Sequence, residues 1–430
     1  MRLYQRAGLT LFLGLSAWSS AWAQFDQYTT PGGPAGRPED ARGKLAKEVA
    51  GARYHLGALR IAPSIGFRDV AYVKTLLATG QPAPSDFTAT LGGGLRLYLP
   101  TGAKTTWTAY ALPEYVWWQK LADRRRFNQR LGGGFHAFGN RVTLEATAGR
   151  DETQRILTPE LPLLANSRED HANLNLELQV TPRFSLFATA QALRQKSLAD
   201  RNDPQASLLS LLDRREQIGR LGAHWRPFTG LVLGLGVERS RADFNSQDHP
   251  GEPDRSNAGT APVFEAAYDH NRVFWNLDLA ARSLEATHGS DFVRYHKVTG
   301  QASLAYRTAA GPELFVYGHR NLIYSIFPLY PYLDEERFGA SLHFRFGHRG
   351  HGSLYAERGT DGYTANAAGT SGAPDRKDDV TSFGGSLQVD LGRGANVTLS
   401  GVRSRFLSNL PGGDRSFTSL GITAALAGNP

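Results

Sequence analysis

The chain reads as an all-β protein: a transmembrane antiparallel β-barrel of about 18 strands, with 16 as the alternative count. Three observations predict this. Two-faced hairpins recur to the C-terminus, short turns alternate with long polar loops between them, and no helical layer covers their apolar faces. The stretch from His171 to Leu193 shows the pattern best. Ala172, Leu174, Leu176, Leu178 and Val180 alternate with Asn173, Asn175, Glu177 and Gln179. After Thr181-Pro182-Arg183, Phe184, Leu186, Ala188, Ala190 and Ala192 alternate with Ser185, Phe187, Thr189 and Gln191. A period of two puts one apolar face on each strand. So many apolar faces without a covering layer are hidden by closing the sheet and giving them to lipid.

Residues 1–23 have the form of a secretory signal peptide. Arg2 and Arg6 precede the short apolar run Leu9 to Leu15, and Ala21-Trp22-Ala23 is a small-x-small cleavage site. Removing the two arginines lowers the formal net charge from +8 to +6. Residues 24–53 form a separate piece. Gln24 to Pro38 is rich in Gly and Pro, and Glu39 to Ala52 has Leu45, Val49 and Ala52 on one helical side. A periplasmic tether at the barrel mouth and a small plug are the two readings. The tether is favoured because one short helix fills a wide lumen poorly. Residues 54–430 are the barrel.

The first strand runs near Leu59, Ile61, Ile65 and Phe67, the second from Phe87 to Leu99, and the third from Trp107 to Trp117. Fifteen more centre on Gly134, Leu144, Leu176, Ala188, Leu221, Leu233, Phe264, Leu277, Ala302, Val316, Leu342, Leu354, Leu387, Leu399 and Ile422. Short turns fall at 100–104, 139–140, 181–183, 227–230, 269–271, 309–312, 347–351 and 392–394. Longer loops lie mostly between them, at 74–85, 153–168, 198–212, 244–257, 326–333 and 363–377. Short turns are periplasmic in such barrels, which places both termini in the periplasm. Trp107 and Trp117 share a face ten residues apart, a separation of roughly 25 Å along the membrane normal, as two aromatic girdles require. Pro63 and Pro113 lie inside strands, and each implies a bulge or a strand end.

Composition narrows the function classes. Cysteine is absent, which excludes disulfide and thiolate-metal scaffolds. The basic balance rests on arginine, with lysine occurring only eight times. No basic helix or aromatic-basic motif points to nucleic acid, and no cofactor or metal is expected. After residue 23 no apolar run is long enough for a spanning helix.

Residues opposite the apolar faces line the lumen. Among them are Arg96, Glu114, Glu145, Glu177, Arg220, Glu238, Asp278, Arg282, His343 and Arg345. Both signs occur in comparable number, so a water-filled lumen of mixed polarity is expected, with opposite charges pairing across strands. A barrel this wide leaves an aqueous channel that something must narrow. Loops 153–168 and 198–212 are the candidates, because each carries an apolar segment, Leu157 to Leu164 and Ser207 to Asp213. They either fold inward as a constriction or pack on neighbouring loops. Tyr324, Phe327, Tyr330 and Tyr332 are closely spaced aromatics, read as a saccharide-stacking platform or, more simply, as an interfacial belt. Asp248, Glu252 and Asp254 read as a calcium or lipopolysaccharide-bridging cluster or, since the spacing fits no calcium loop, more simply as ordinary loop charge.

The last strand, Ser419 to Leu426, is similar to the C-terminal pattern read by the barrel-assembly machinery, without its final aromatic. The segments Leu56 to Gly66, Asp86 to Pro100 and Glu114-Tyr115-Val-Trp117 resemble the outer-membrane β-barrel porins encoded with exopolysaccharide genes in Gram-negative bacteria. The resemblance implies an outer-membrane barrel and saccharide passage or polymer export, and it supplies no binding residues. The expected function is a passive channel in contact with outer-membrane lipid and lipopolysaccharide. It would pass saccharides or take part in export with polysaccharide or a periplasmic partner. A general diffusion porin is the alternative. A barrel enzyme is the contrasting class, but no nucleophile, base and third polar group are identified as converging. His319, His343, His348 and His351 read as structural or solvated.

Overall fold

Alternation along the chain becomes an inside and an outside in space. The computed structural model describes residues 41–76, 85–198, 208–244, 254–287, 289–309, 311–327, 329–365, 374–392 and 395–427. The signal segment, the stretch 24–40 and the acidic residues Asp248 and Glu252 lie outside the described residues. Helix α1 (Ala41–Gly51) and a short strand β1 (Tyr54–Leu56) precede the barrel. The wall then follows as β2 (Leu59–Leu76), β3 (Asp86–Pro100), β4 (Thr105–Trp118), β5 (Arg126–Phe138), β6 (Val142–Arg155) and β7 (Ala165–Thr181). It continues as β8 (Phe184–Ser197), β9 (Arg214–Trp225), β10 (Leu231–Phe244), β11 (Asn257–His270), β12 (Val273–Ala286) and β13 (Tyr295–Arg307). It is completed by β14 (Glu313–Tyr324), β15 (Tyr332–Phe346), β16 (Gly350–Thr364), β17 (Lys377–Gly392), β18 (Ala395–Ser408) and β19 (Arg415–Ala427).

Each wall strand pairs antiparallel with the next, and β19 pairs with β2, so β2–β19 form a closed ring of 18 strands. Closure satisfies the backbone without leaving an edge in lipid. All eighteen strand centres read from the sequence fall inside these strands. Large apolar side chains point outward and stay exposed, including Ile65, Leu91, Trp107, Leu176, Leu235, Phe338, Leu354 and Leu420. In water such a surface is costly; in a bilayer it is the anchor. Trp107 and Trp117 both face outward on β4, and Trp107 packs against Phe135 at 4.7 Å between centroids. No helix among the described residues is long and apolar enough to cross a membrane, and the chain crosses with strands.

The prolines behave differently from expectation. Pro63 pairs with Leu95 and Pro113 with Gln129, neither with a register shift. Pro63 stands between Ile61, which pairs with Tyr54 of β1, and Ser64, which pairs with Ala427 of β19. The bulge lies instead between Arg68 and Ala71, opposite Thr90 and Thr88. There Asp69 takes φ 53°, a left-handed conformation that Asp tolerates better than most residues. Asn271 does the same, at φ 54°, in the tight turn between β11 and β12.

Helix α1 does not hang free. Leu45 and Ala52, with Val49, pack on the inward-facing Tyr98, Ala62 and Phe138 at the short-turn mouth. The Tyr98 hydroxyl donates to Glu48 at 3.2 Å. A cavity of about 530 Å³ beside the helix is lined by residues that include Arg42, His55 and Arg60.

Candidate functional site: the lumen and its constriction

The lumen is built by the second face of each strand. On β9 to β12 the inward positions form one charged network. Arg220 donates to Glu238 at 2.7 Å and to Asp278 at 3.2 Å, and reaches Glu265 at 3.4 Å. Arg282 donates to the other Glu238 oxygen at 3.0 Å. His224 lies 3.1 Å from Glu265, and Glu177 accepts from Arg226 at 2.5 Å. Arg220 and Glu238 are direct cross-strand partners, as opposite charges on one face should be. On the opposite wall, Arg68 pairs with Glu114, and His136 lies 3.3 Å from Glu145. Arg96 faces inward half-buried, and Arg345 lies exposed at the short-turn mouth. His343 meets Ser341 at 3.1 Å.

Near the long-loop end the lumen is crossed. The β6–β7 connection begins with Ile156, which packs on inward residues of β2, β4 and β19: Ala71, Val73, Val116, Trp118 and Phe417. The next turn of chain reaches the far wall. Leu157, Leu161 and Leu163 pack with Leu209 and Leu212 of the β8–β9 loop and with Leu284, Tyr295, Leu322, Tyr324 and Tyr332 of β12 to β15. Each such apolar side chain taken from water contributes about 1.5–3 kcal/mol. A bridge between Thr158 and Leu161 tightens the tip.

The far wall comes inward to meet it. Bonding between β13 and β14 stops at Gly300–Arg320, whereas β14 and β15 stay paired up to Tyr324–Tyr332. At Gly300, the last β13 residue paired with β14, a side chain would collide with the Asp278 carbonyl of β12, so glycine keeps the β12 side closely paired there. Above that point Leu322, Tyr324 and Tyr332, which alternation would turn to lipid, are buried against Leu284, Phe292 and Tyr295.

The two inward segments are joined through one carboxylate. Glu160 is fully buried. It accepts from the Ser325 hydroxyl at 2.5 Å, the Ile326 N–H at 2.7 Å and the Thr158 hydroxyl at 3.2 Å. Burial pushes its carboxyl up from the usual range, against the lowering effect of the Ser325 and Ile326 donors and of Arg376 and Arg415. The segment is pinned on both sides, because the Pro162 carbonyl accepts from Thr75 of β2 at 3.4 Å and the Pro159 carbonyl accepts from Arg415 of β19. Arg415 also donates to Asp378 at 2.8 Å, and Arg337 to Asp361 at 2.6 Å, completing a second buried charge cluster beneath the constriction.

For their described parts, loops 153–168 and 198–212 meet both readings, since they fold inward against the far wall and pack on each other there. The aromatic platform is not realised. Tyr324, Tyr330 and Tyr332 are buried, Tyr330 against Tyr363 and Tyr332 against Phe292 and Tyr295. Arg214 covers the Tyr324 ring, and Arg376 sits 4.9 Å over Phe327. The rings hold the constriction together instead of offering open faces or forming a belt. Glu160, Arg337, Asp361, Asp378 and Arg415 were absent from the candidates drawn from the sequence. A lone carboxylate inside Leu157-Thr-Pro-Glu-Leu-Pro-Leu-Leu164 was the available signal for Glu160. Among the described residues no group of three His, Cys, Asp or Glu side chains is arranged to hold a metal ion.

Comparison with solved structures gives the architecture its relatives. Pseudomonas aeruginosa OpdO superposes with a TM-score of 0.50 at 14% identity, covering 85% of this chain and 97% of that one. Pseudomonas aeruginosa OccK2 (OpdF) gives 0.50 at 11% identity, over 86% and 98%. The same protein in complex with glucuronate gives 0.50 at 12%, over 86% and 96%. The fold is that of an outer-membrane porin barrel. No protein-family model and no curated protein matches the chain.

Proposed function

We propose that this barrel is a passive outer-membrane channel for small saccharides, sugar acids among them, and that its constriction sets what passes. The observation that carries this reading is the meeting of segment 156–164 with the β14–β15 hairpin at Glu160, in a lumen whose wall alternates arginine and carboxylate. Hydroxyl-rich solutes find donors and acceptors on such a wall at every level. The one-sign ring of a strongly ion-selective pore is missing from the charge networks described above. The complex of OccK2 with glucuronate is consistent with a sugar acid as cargo for a barrel of this shape. Polymer export is the weaker reading, because a chain of sugars would need the pinned segment withdrawn for the whole of transit.

The test is single-channel current through protein refolded into a planar bilayer, with monosaccharides, uronic acids or long oligosaccharides added to one side. Concentration-dependent block by the small sugars, with none by the long ones, supports the proposal. Steady current indifferent to every sugar supports a general diffusion porin instead. Block by long polymers alone favours export.

A further inference from the structure

We propose that the outer wall of β7 to β10 carries a binding site for the phosphate groups of lipopolysaccharide at the upper edge of the lipid belt. The outward positions of these strands start apolar at the short-turn end and finish charged, with basic residues in excess. On β8 the outward series runs Phe184, Leu186, Ala188, Ala190 and Ala192, and then Arg194 and Lys196, both exposed. On β9, Trp225 and exposed Arg215 stand ten residues apart on the outer face. That is the spacing of Trp107 and Trp117 on β4, about 25 Å along the normal, the height of the apolar band. The arginines of β8 and β9 therefore stand at the level of the upper girdle, where lipid phosphates lie.

The register sets two like-charged pairs side by side within this wall. Arg194 is the direct cross-strand neighbour of Arg215, with Asp170 beside Arg194 and Asp243 beside Arg215 on their other sides, and Arg168 is the neighbour of Lys196. Like charges opposite one another destabilise a sheet. Acidic neighbours neutralise only part of the wall. Arg168 pairs with Glu152 at 2.6 Å, Arg150 with Asp170 at 2.5 Å, and Arg241 with Asp243 at 2.9 Å. Arg194, Lys196, Arg215 and Arg239 have no ion pair among the described residues, and all four are exposed on the outer face. Two adjacent guanidinium forks facing the headgroup layer suit a phosphate monoester, which accepts bidentate bonds from both and removes their repulsion. Elsewhere on the upper wall, Arg358 and Arg405 each stand opposite Thr381, with no basic cross-strand neighbour.

The decisive experiment compares folded protein in detergent by native mass spectrometry and by thermal unfolding. Wild type, Arg194→Ala/Arg215→Ala and the control Arg405→Ala are each titrated with lipopolysaccharide, with its dephosphorylated form and with inorganic pyrophosphate. Heat-modifiable mobility first confirms that each variant is folded. Expected is retention of lipopolysaccharide by wild type and the control, at least tenfold weaker retention by the double variant, and a similar loss on dephosphorylation. Without lipid the double variant should unfold close to wild type, since it removes one like-charged contact together with the attraction of Arg194 to Asp170 and of Arg215 to Asp243. Equal retention by the double variant overturns the proposal. So does binding indifferent to dephosphorylation, or pyrophosphate binding as tight as the glycolipid, which would mark a free-anion site.

Discussion

Arg220 faces three carboxylates, and the chemistry of the lumen is clearest at that residue. It is 4% exposed, and Glu238, which it shares with Arg282, is 0% exposed. Removing one member of such a network leaves charge uncompensated at a cost of about 3–5 kcal/mol where water is excluded. Arg220→Ala is expected to lower the unfolding midpoint and to move the reversal potential in a salt gradient towards cation preference. A reversal potential unchanged in the folded variant would mean that ions do not pass this wall. The sequence made Arg220, Glu238, Asp278 and Arg282 legible because strict alternation assigns each to the inner face. It left the partners open, since a charge on one strand has several cross-strand candidates. Glu160 was harder to see. Its role depends on contact with residues 325 and 326, more than a hundred and sixty positions away, and no local pattern encodes that meeting.

At the scale of the element, the constriction is a loop held by a buried carboxylate, and this gives it a pH dependence. The Glu160 carboxyl is raised above its ordinary value, so the folded arrangement binds a proton more readily than the unfolded one. Its contribution is therefore complete below the ordinary carboxylate range, near pH 4, and is lost as pH rises through the raised value. Brief openings in single-channel records are expected to be rarer in acid than at neutral pH, and Glu160→Gln should flatten that dependence. An unchanged pH profile in the variant would remove Glu160 from the gate. At the other mouth, Leu45→Asp should undock α1 from Tyr98 and Phe138 and increase conductance without lowering barrel stability. Unchanged conductance would make the helix a tether in function as well as in name. The helix was readable from Leu45, Val49 and Ala52, but its seat was not, because Tyr98, Ala62 and Phe138 come together only when the ring closes. The aromatic cluster at 324–332 was misread for the same reason. Alternation continued past Gly300 would turn Leu322, Tyr324 and Tyr332 outward, whereas the separation of β13 from β14 lets the hairpin turn in.

At the scale of the whole molecule, two lists of residues carry the fold, the exposed apolar outside and the buried polar inside. Strand number and turn order were legible from alternation and loop length, since both are local. Register near the prolines was not, because it is set by which strands meet when the ring closes. With both signs paired across the lumen, wild-type channels are expected to show only weak ion preference, with a reversal potential close to zero in a tenfold salt gradient. Strong selectivity would place an unpaired ring of one sign in the path. The central claim is that segment 156–164, joined to the β14–β15 hairpin through Glu160, narrows the pore. Its most direct test is the single-channel conductance of folded protein in which residues 157–163 are replaced by a short glycine-serine link, compared with wild type at the same voltage and salt. A severalfold rise in conductance together with loss of sugar block is the expected result; equal conductance in the two proteins would contradict the claim.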